Sequence, residues 1–394
     1  MTATLPTTTT LIVPTLEGAL ERLPLFPAST FAKPSAPPRS RRLLAAAHVV
    51  ADPFSGGASA PDRIDLEATL AIRRHLWSWG IGVADAMDTA QRGMGLAWEV
   101  AKELIARSIE EARACDGDLV IGAQTDHLEA GSGRSLDDVV AAYEEQIGFV
   151  EGLGGRVVVM ASRELARIAG GPDDYHRVYG RVLSQLREPT IIHWLGEVFD
   201  PALAGYWGSA DLDRAMDVLL EVIRDNADHV AGIKLSLLDQ RRELVMRERL
   251  PDGVRLYTGD DFDYPVLIRG DGERSSDALL GVLDAIAPAA ATALVSLDGG
   301  DGDRFEEILG PTLPLARTIF EAPTYHYKVG LQLVSYLNGR QSHLRMLGGM
   351  ESQRSLLHLA RVYRYAGQAG LLEDPELAAA RMRGLLEAGG VSQS

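Results

Sequence analysis

A lysine at position 234 stands inside the apolar run "AGIKLSL". Burial disfavours an ammonium and favours the free amine, and a free amine adds to carbonyls. The chemistry such a residue serves is Schiff-base catalysis, in which an iminium withdraws electrons from the neighbouring carbon and permits C–C or C–O cleavage. The bland alternative is a strand lysine paired with a carboxylate or reaching to the rim of the fold. Other ionisable or polar groups recur at the ends of comparable runs: His48 and Asp52, Asp85 and Asp88, Gln124, Asp126 and His127, Ser162 and Arg163, His193, then Asp260 and Asp261. The "TGDD" turn offers Asp260 and Asp261 as acceptors for substrate hydroxyls, or else as caps for the next helix.

The elements that position these groups are rhythmic. From Arg41 onward, "RLLAAAHVVA", "GIGVADAM", "DLVIGAQ", "RVVVMAS", "PTIIHWL", "AGIKLSL", "VRLYTGD" and "DALLGVLDA" alternate with segments of helical period. Runs apolar on both faces indicate a parallel sheet covered by helices, and eight of them predict a (β/α)8 TIM barrel, with an open doubly wound sheet as the alternative. The expected division is an N-terminal extension over 1–40 with one short helix, the barrel over 41–290, and a C-terminal helical appendix over 291–394 packed on the barrel. Chemistry is then expected at the C-terminal strand ends.

Composition narrows the function classes. The chain has 394 residues, 46% hydrophobic and 24% charged, enough to bury a large core. A net charge of −16 and the absence of a long basic block argue against nucleic-acid or anionic-membrane partners. The lone cysteine, Cys115, cannot form an intrachain disulfide and is expected to be buried and inert. No run approaches the roughly 18 apolar residues of a membrane helix, and the start lacks a signal-peptide pattern, so a cytoplasmic location is expected. No glycine-rich phosphate loop is convincing. "DGGDGDR" at Asp298 places Leu309 where a calcium loop needs glutamate and reads as a turn before a helix. Trp77 and Trp79 are expected to pack, and Tyr325, His326, Tyr327 and Lys328 to serve core or subunit contacts.

The segments in order also resemble a known family. "AGIKLSLLD" followed by "VRLYTGDDFDYP" is similar to the sixth and seventh strands of the dihydrodipicolinate synthase / N-acetylneuraminate lyase superfamily. "AAHVVADPF" with "IDLEATL", "GAQTD", "REPTIIHWL" and "GPTLPLARTIFEAPTYHYKVGLQ" resemble other family segments in the same order. The resemblance implies a class I aldolase barrel with Lys234 as the Schiff-base residue, no cofactor, and a homodimer or tetramer. His193 stands where the family has its proton-shuttling tyrosine, a role histidine can fill near neutral pH. Thr89 keeps a hydroxyl of the family's carboxylate-binding loop, while Asp88 replaces another with an anion. Glu197 and Val198 occupy the region of an expected arginine. These departures disfavour dihydrodipicolinate synthesis and pyruvate, and point to a lyase or dehydratase for a keto-sugar or related carbonyl compound. Lys234 and His193 would then be catalytic, with Asp88, Thr89, Asp260 and Asp261 binding substrate. A metal-dependent sugar isomerase or aldolase is the alternative, drawing on His48, Asp85, Asp126, His127, His193 and Glu197. A second alternative is a barrel that only binds a small molecule.

Overall fold

Eight short strands made almost wholly of buried residues close into one parallel barrel: β3 (Leu43–Ala46), β4 (Gly82–Asp85), β5 (Leu119–Ala123), β6 (Val157–Met160), β7 (Thr190–Leu195), β8 (Val230–Ser236), β9 (Arg255–Thr258) and β10 (Asp277–Leu280). They pair in sequence order, and β10 closes on β3. The structure, a computed structural model, describes residues 10–56, 63–128 and 133–394. Alternation along each strand explains the two-sided apolar pattern. Leu44, Ala84, Val120, Val158, Ile191, Tyr257 and Leu279 fill the interior, while Leu43, Val83, Ile121, Val159, Ile192 and Ile233 pack outward on the helices. The expected barrel is the observed one.

Side-chain caps set the starts of several barrel helices. Asp65 caps Leu66–Ser78, Asp239 caps Gln240–Arg249, and Ser135 with Asp138 forms a capping box on Leu136–Gly152. The eighth barrel helix, Leu283–Asp298, runs through position 290, so the appendix begins later than expected, at the helix Gly302–Leu309. "DGGDGDR" is indeed a turn: Asp301 caps that helix, and the Asp298 carboxylate accepts the amides of Arg39 and Ser40 at 2.8 and 2.7 Å.

Within the described part of the N-terminal extension, a β-hairpin replaces the short helix expected there. Strands β1 (Thr10–Pro14) and β2 (Leu20–Pro24) pair antiparallel around Gly18, whose φ of +78° suits a residue without Cβ. Alternation in "TLIVP" buries Leu11 and Val13 against the last two helices, Leu356–Gln368 and Pro375–Ala388. Phe26 then packs edge-on against Tyr363, its ring filling the space beside Gly367 that a Cβ would occupy. The extension thus braces the C-terminal helices.

Candidate active site

Lys234 and His193 are paired neighbours in the register of β8 and β7, and both share the inward parity of Ile191 and Gly232. Both side chains are buried, Lys234 at 5% exposure. Gly232 is needed one layer below, because a Cβ there would come within 2.7 Å of the Tyr257 ring. The inward-facing Ser236 lies one layer above, and its hydroxyl is 3.2 Å from His193 Nε2. His193 Nδ1 is buried without a hydrogen-bond partner among the described residues.

A second group of residues comes from the loop after β4. Its backbone turns sharply: Ala86 and Gln91 have φ of +51° and +64°, an arrangement that needs support from outside the loop. Asp85 supplies part of it by accepting the Ala86 amide at 2.7 Å. Between the two turns lie Asp88 and Thr89. The Tyr327 hydroxyl donates to Asp88 Oδ2 at 2.6 Å and, with its proton so committed, accepts from Thr89 Oγ1 at 2.7 Å. Tyr327 stacks on Phe320 with centroids 4.6 Å apart, and Lys328 Nζ lies 4.3 Å from the Tyr327 ring centroid. Tyr327 is a core residue, as expected, and from there Tyr327 and Lys328 also reach the loop that carries Asp88. The aromatic-rich segment signalled burial, but nothing in it signalled contact with a loop 238 residues earlier.

The charged groups act on one another. Burial lowers the Lys234 ammonium from its ordinary value, opposed by Asp88, Asp261 and Glu243. Burial raises Asp88, but cationic neighbours, Lys234 first, together with the Tyr327 hydrogen bond bring it down to about 2. Burial takes His193 well below the ordinary histidine range and so holds it neutral. Lys328 is lowered to about 8 by burial, against the pull of Asp88 and Asp200. On the other flank, burial raises Asp261 to about 8 and Asp260 to about 6. Asp260 Oδ1 accepts the amides of Phe262 and Asp263, and Asp261 Oδ1 accepts that of Val282. Both thus brace backbone; Asp260 Oδ2 is left without a partner. Glu243, not foreseen from sequence, holds the turn from the helix side by accepting the Gly259 amide at 3.0 Å.

A cleft of about 240 Å3 opens above His193 and Asp88, lined also by Gln124, Arg163, Phe199 and Asp200. Of the residues of the metal alternative, Asp126 and His193 line it and the other four do not. His48 is bound to Asp284 and Gln341, Asp85 to Arg73 and Ser108, Asp126 to Arg92, and His127 to Gln146 and Glu145; Glu197 is exposed. Among the described residues, no three His, Cys, Asp or Glu side chains are grouped so as to hold a metal ion. Asp52 pairs with Arg63, and Ser162 shares a hydrogen bond with Thr125. Trp79 is buried, and Trp77 donates to the Asp118 carbonyl, consistent with packing. Cys115 corrects its expectation: it ends the helix Trp98–Cys115 and is exposed.

The closed parallel barrel with its C-terminal helices is similar in fold to solved dihydrodipicolinate synthases. Solved members from Thermotoga maritima and Bacteroides thetaiotaomicron are similar at 13% and 12% identity, each with a TM-score of 0.62 over 84% of this chain and 99% of theirs. One from Aquifex aeolicus matches at 12% identity with a TM-score of 0.57, over 90% of this chain and 99% of its own. The resemblance read from the sequence is thus one of whole-chain fold. The chain itself belongs to the family described as "Protein of unknown function (DUF993)", whose model matches residues 11–391. No curated protein matches the sequence. Among the described residues, no helix is long and apolar enough to cross a membrane.

Proposed function

We propose that this protein is a Schiff-base-forming lyase, an aldolase or dehydratase, acting on a keto-sugar or related carbonyl compound and not on the substrates of dihydrodipicolinate synthesis. The observation that carries the reading is the placement of Lys234: buried, facing the barrel interior, in register with a neutral histidine beside an open cleft. Lys234 Nζ adds to the substrate carbonyl, and the resulting carbinolamine loses its hydroxyl as water to give the iminium. In the aldolase case the Cα–Cβ bond then breaks, its electron pair passing into the iminium to leave an enamine while the β-carbon loses its hydroxyl proton and departs as a carbonyl; in the dehydratase case loss of an α-proton gives the enamine, whose electron pair expels the protonated β-hydroxyl as water. His193, whose Nδ1 has no hydrogen-bond partner among the described residues, takes and returns the proton this requires. Asp88, anchored through Tyr327 to Thr89, keeps its Oδ1 free to accept a substrate hydroxyl. Asp260 and Asp261 brace the backbone of the turn that follows β9.

Reductive trapping tests this reading. Cyanoborohydride with a panel of ketoses and 2-keto acids is expected to leave a reduced adduct on Lys234, found by peptide mass spectrometry and absent from Lys234→Ala. Failure of every carbonyl compound in the panel to label Lys234 would refute it, and labelling by pyruvate alone would refute the substrate class.

A further inference from the structure

Three buried polar atoms belong to one cleft and have no protein partner. Asp88 Oδ1, Gln124 Nε2 and His193 Nδ1 make no hydrogen bond among the described residues, and all three residues line the same cleft. Buried polar groups are normally paired, because burial removes their water and an unpaired donor or acceptor is costly. The rest of the polar wall obeys that rule. Arg92 holds Asp126, Arg163 holds Asp200, Arg167 holds Glu164, and Thr125 Oγ1 shares a hydrogen bond with Ser162.

Asp88 and His193 already have roles in the proposed reaction, and Gln124 has none. It follows β5 directly, and its backbone is held in place. Gln124 N donates to Gln146 Oε1 at 2.9 Å. That buried amide is itself fixed, accepting from Arg92 Nη2 at 2.8 Å and donating through Nε2 to Asp126 Oδ1 at 2.9 Å. The network positions the residue and leaves its side-chain donor uncommitted, which suits a binding group better than a structural tie.

The open atoms differ in kind: an amide N–H that only donates, a carboxylate oxygen that only accepts, and a ring nitrogen. A hydroxyl both donates and accepts, so a hydroxylated chain answers a donor and an acceptor together. A hydrocarbon chain would leave both unanswered. An anionic one would enter beside Asp88, Asp126, Glu164 and Asp200, where the two guanidiniums of the wall, Arg92 and Arg163, are already ion-paired. We propose that Gln124 is a substrate-binding residue that selects an uncharged, hydroxylated substrate, its Nε2 donating to a hydroxyl oxygen while Asp88 Oδ1 accepts a hydroxyl proton. This rests on the Schiff-base reading for the carbonyl end only.

Ketopentoses and a bare ketone test it. Xylulose, ribulose and 2-pentanone are each trapped on Lys234 with cyanoborohydride, and each rate is divided by that on Nα-acetyllysine. At least one ketopentose is expected to exceed 2-pentanone about tenfold or more on this scale, the order of one hydrogen bond to a charged group. In Gln124→Met, which keeps the length of the side chain and removes its donor, that ratio should fall towards one. The urea midpoint of the variant should stay at or above that of the parent, because no protein partner is lost. Equal normalised rates, a preference that survives Gln124→Met, a lowered midpoint, or faster labelling by xylulose 5-phosphate than by xylulose overturns the proposal. Calorimetry with xylitol, ribitol and arabinitol, which carry hydroxyls and no carbonyl, separates it from the reading it extends. Polyol binding that Gln124→Met abolishes, without labelling of Lys234 by any ketone, supports the hydroxyl site and refutes the Schiff base. Labelling by 2-pentanone as fast as by the ketopentoses does the reverse, and neither binding nor labelling refutes both.

Discussion

Removing the Asp85 carboxylate exposes how the candidate site is supported. Asp85 and Arg73 have no exposed side-chain surface. Asp85 accepts from Arg73 Nη2 at 2.6 Å and Nε at 3.3 Å, from Ser108 Oγ at 2.5 Å and from the Ala86 amide at 2.7 Å. Arg73 Nη1 donates to the carbonyls of His48 and Thr69. Asp85→Ala strands a guanidinium in the core, which costs about 3–5 kcal/mol when a buried pair loses one partner. That is a large part of a typical stability of about 5–15 kcal/mol. It also frees the strained turn at Ala86 that presents Asp88 and Thr89. Urea unfolding should therefore show the loss in stability, and Lys234 labelling should slow in conditions where the variant is still folded. Arg73→Met/Asp85→Leu fills the same space with apolar groups and should recover most of the stability, to within about 2 kcal/mol of the parent. A cost below about 1 kcal/mol for Asp85→Ala, or a double variant as unstable as the single one, would refute the reasoning. A metal ligand at Asp85 would instead make stability depend on chelators.

Three further outcomes are expected. Tyr327→Phe removes a hydrogen bond that helps hold Asp88 down at about 2, so the acidic limb of the Lys234 labelling profile should move to higher pH; an unmoved limb would show that Asp88 is not needed ionised. Asp261 has its folded-state pKa raised to about 8, so its contribution to stability is fully present below about pH 4 and is lost as pH rises through about 8. Asp261→Asn should flatten that decline, read as the difference in urea midpoints between pH 5 and pH 9, and identical slopes would contradict the assignment. Cys115 should react with a thiol reagent in the native protein without slowing Lys234 labelling, because it lies at the far end of its helix from the cleft; protection until unfolding would contradict its exposure.

The barrel was legible because each strand must satisfy two apolar surroundings at once, as "DLVIGA" and "RVVVMA" do. Lys234 was legible for the same reason, as the ionisable residue in a run that has no polar face. The hairpin was missed although "TLEG" is a turn signal: its strands are five residues each, and the threonine and proline around them masked the alternation. Partners distant in the chain were the main loss. His48, Asp85 and Asp126 sit at strand ends as expected, yet Asp284, Arg73 and Arg92 complete them, so residues that read as an ionisable mouth are mostly internal ties. Tyr327 was legible as core, but its ties to Asp88 and Thr89 were hidden for the same reason.

Because Tyr327 caps and Lys328 opens the appended helix Lys328–Leu337, while Asp88 and Thr89 belong to the barrel, the candidate site forms only when two segments of the fold are docked. Loosening of the appendix alone would separate the Tyr327 hydroxyl from Asp88 with all eight strands still closed. Heat would then silence the protein before it melts it, with a range of temperatures in which the barrel persists as an intact but idle scaffold and recovers on cooling.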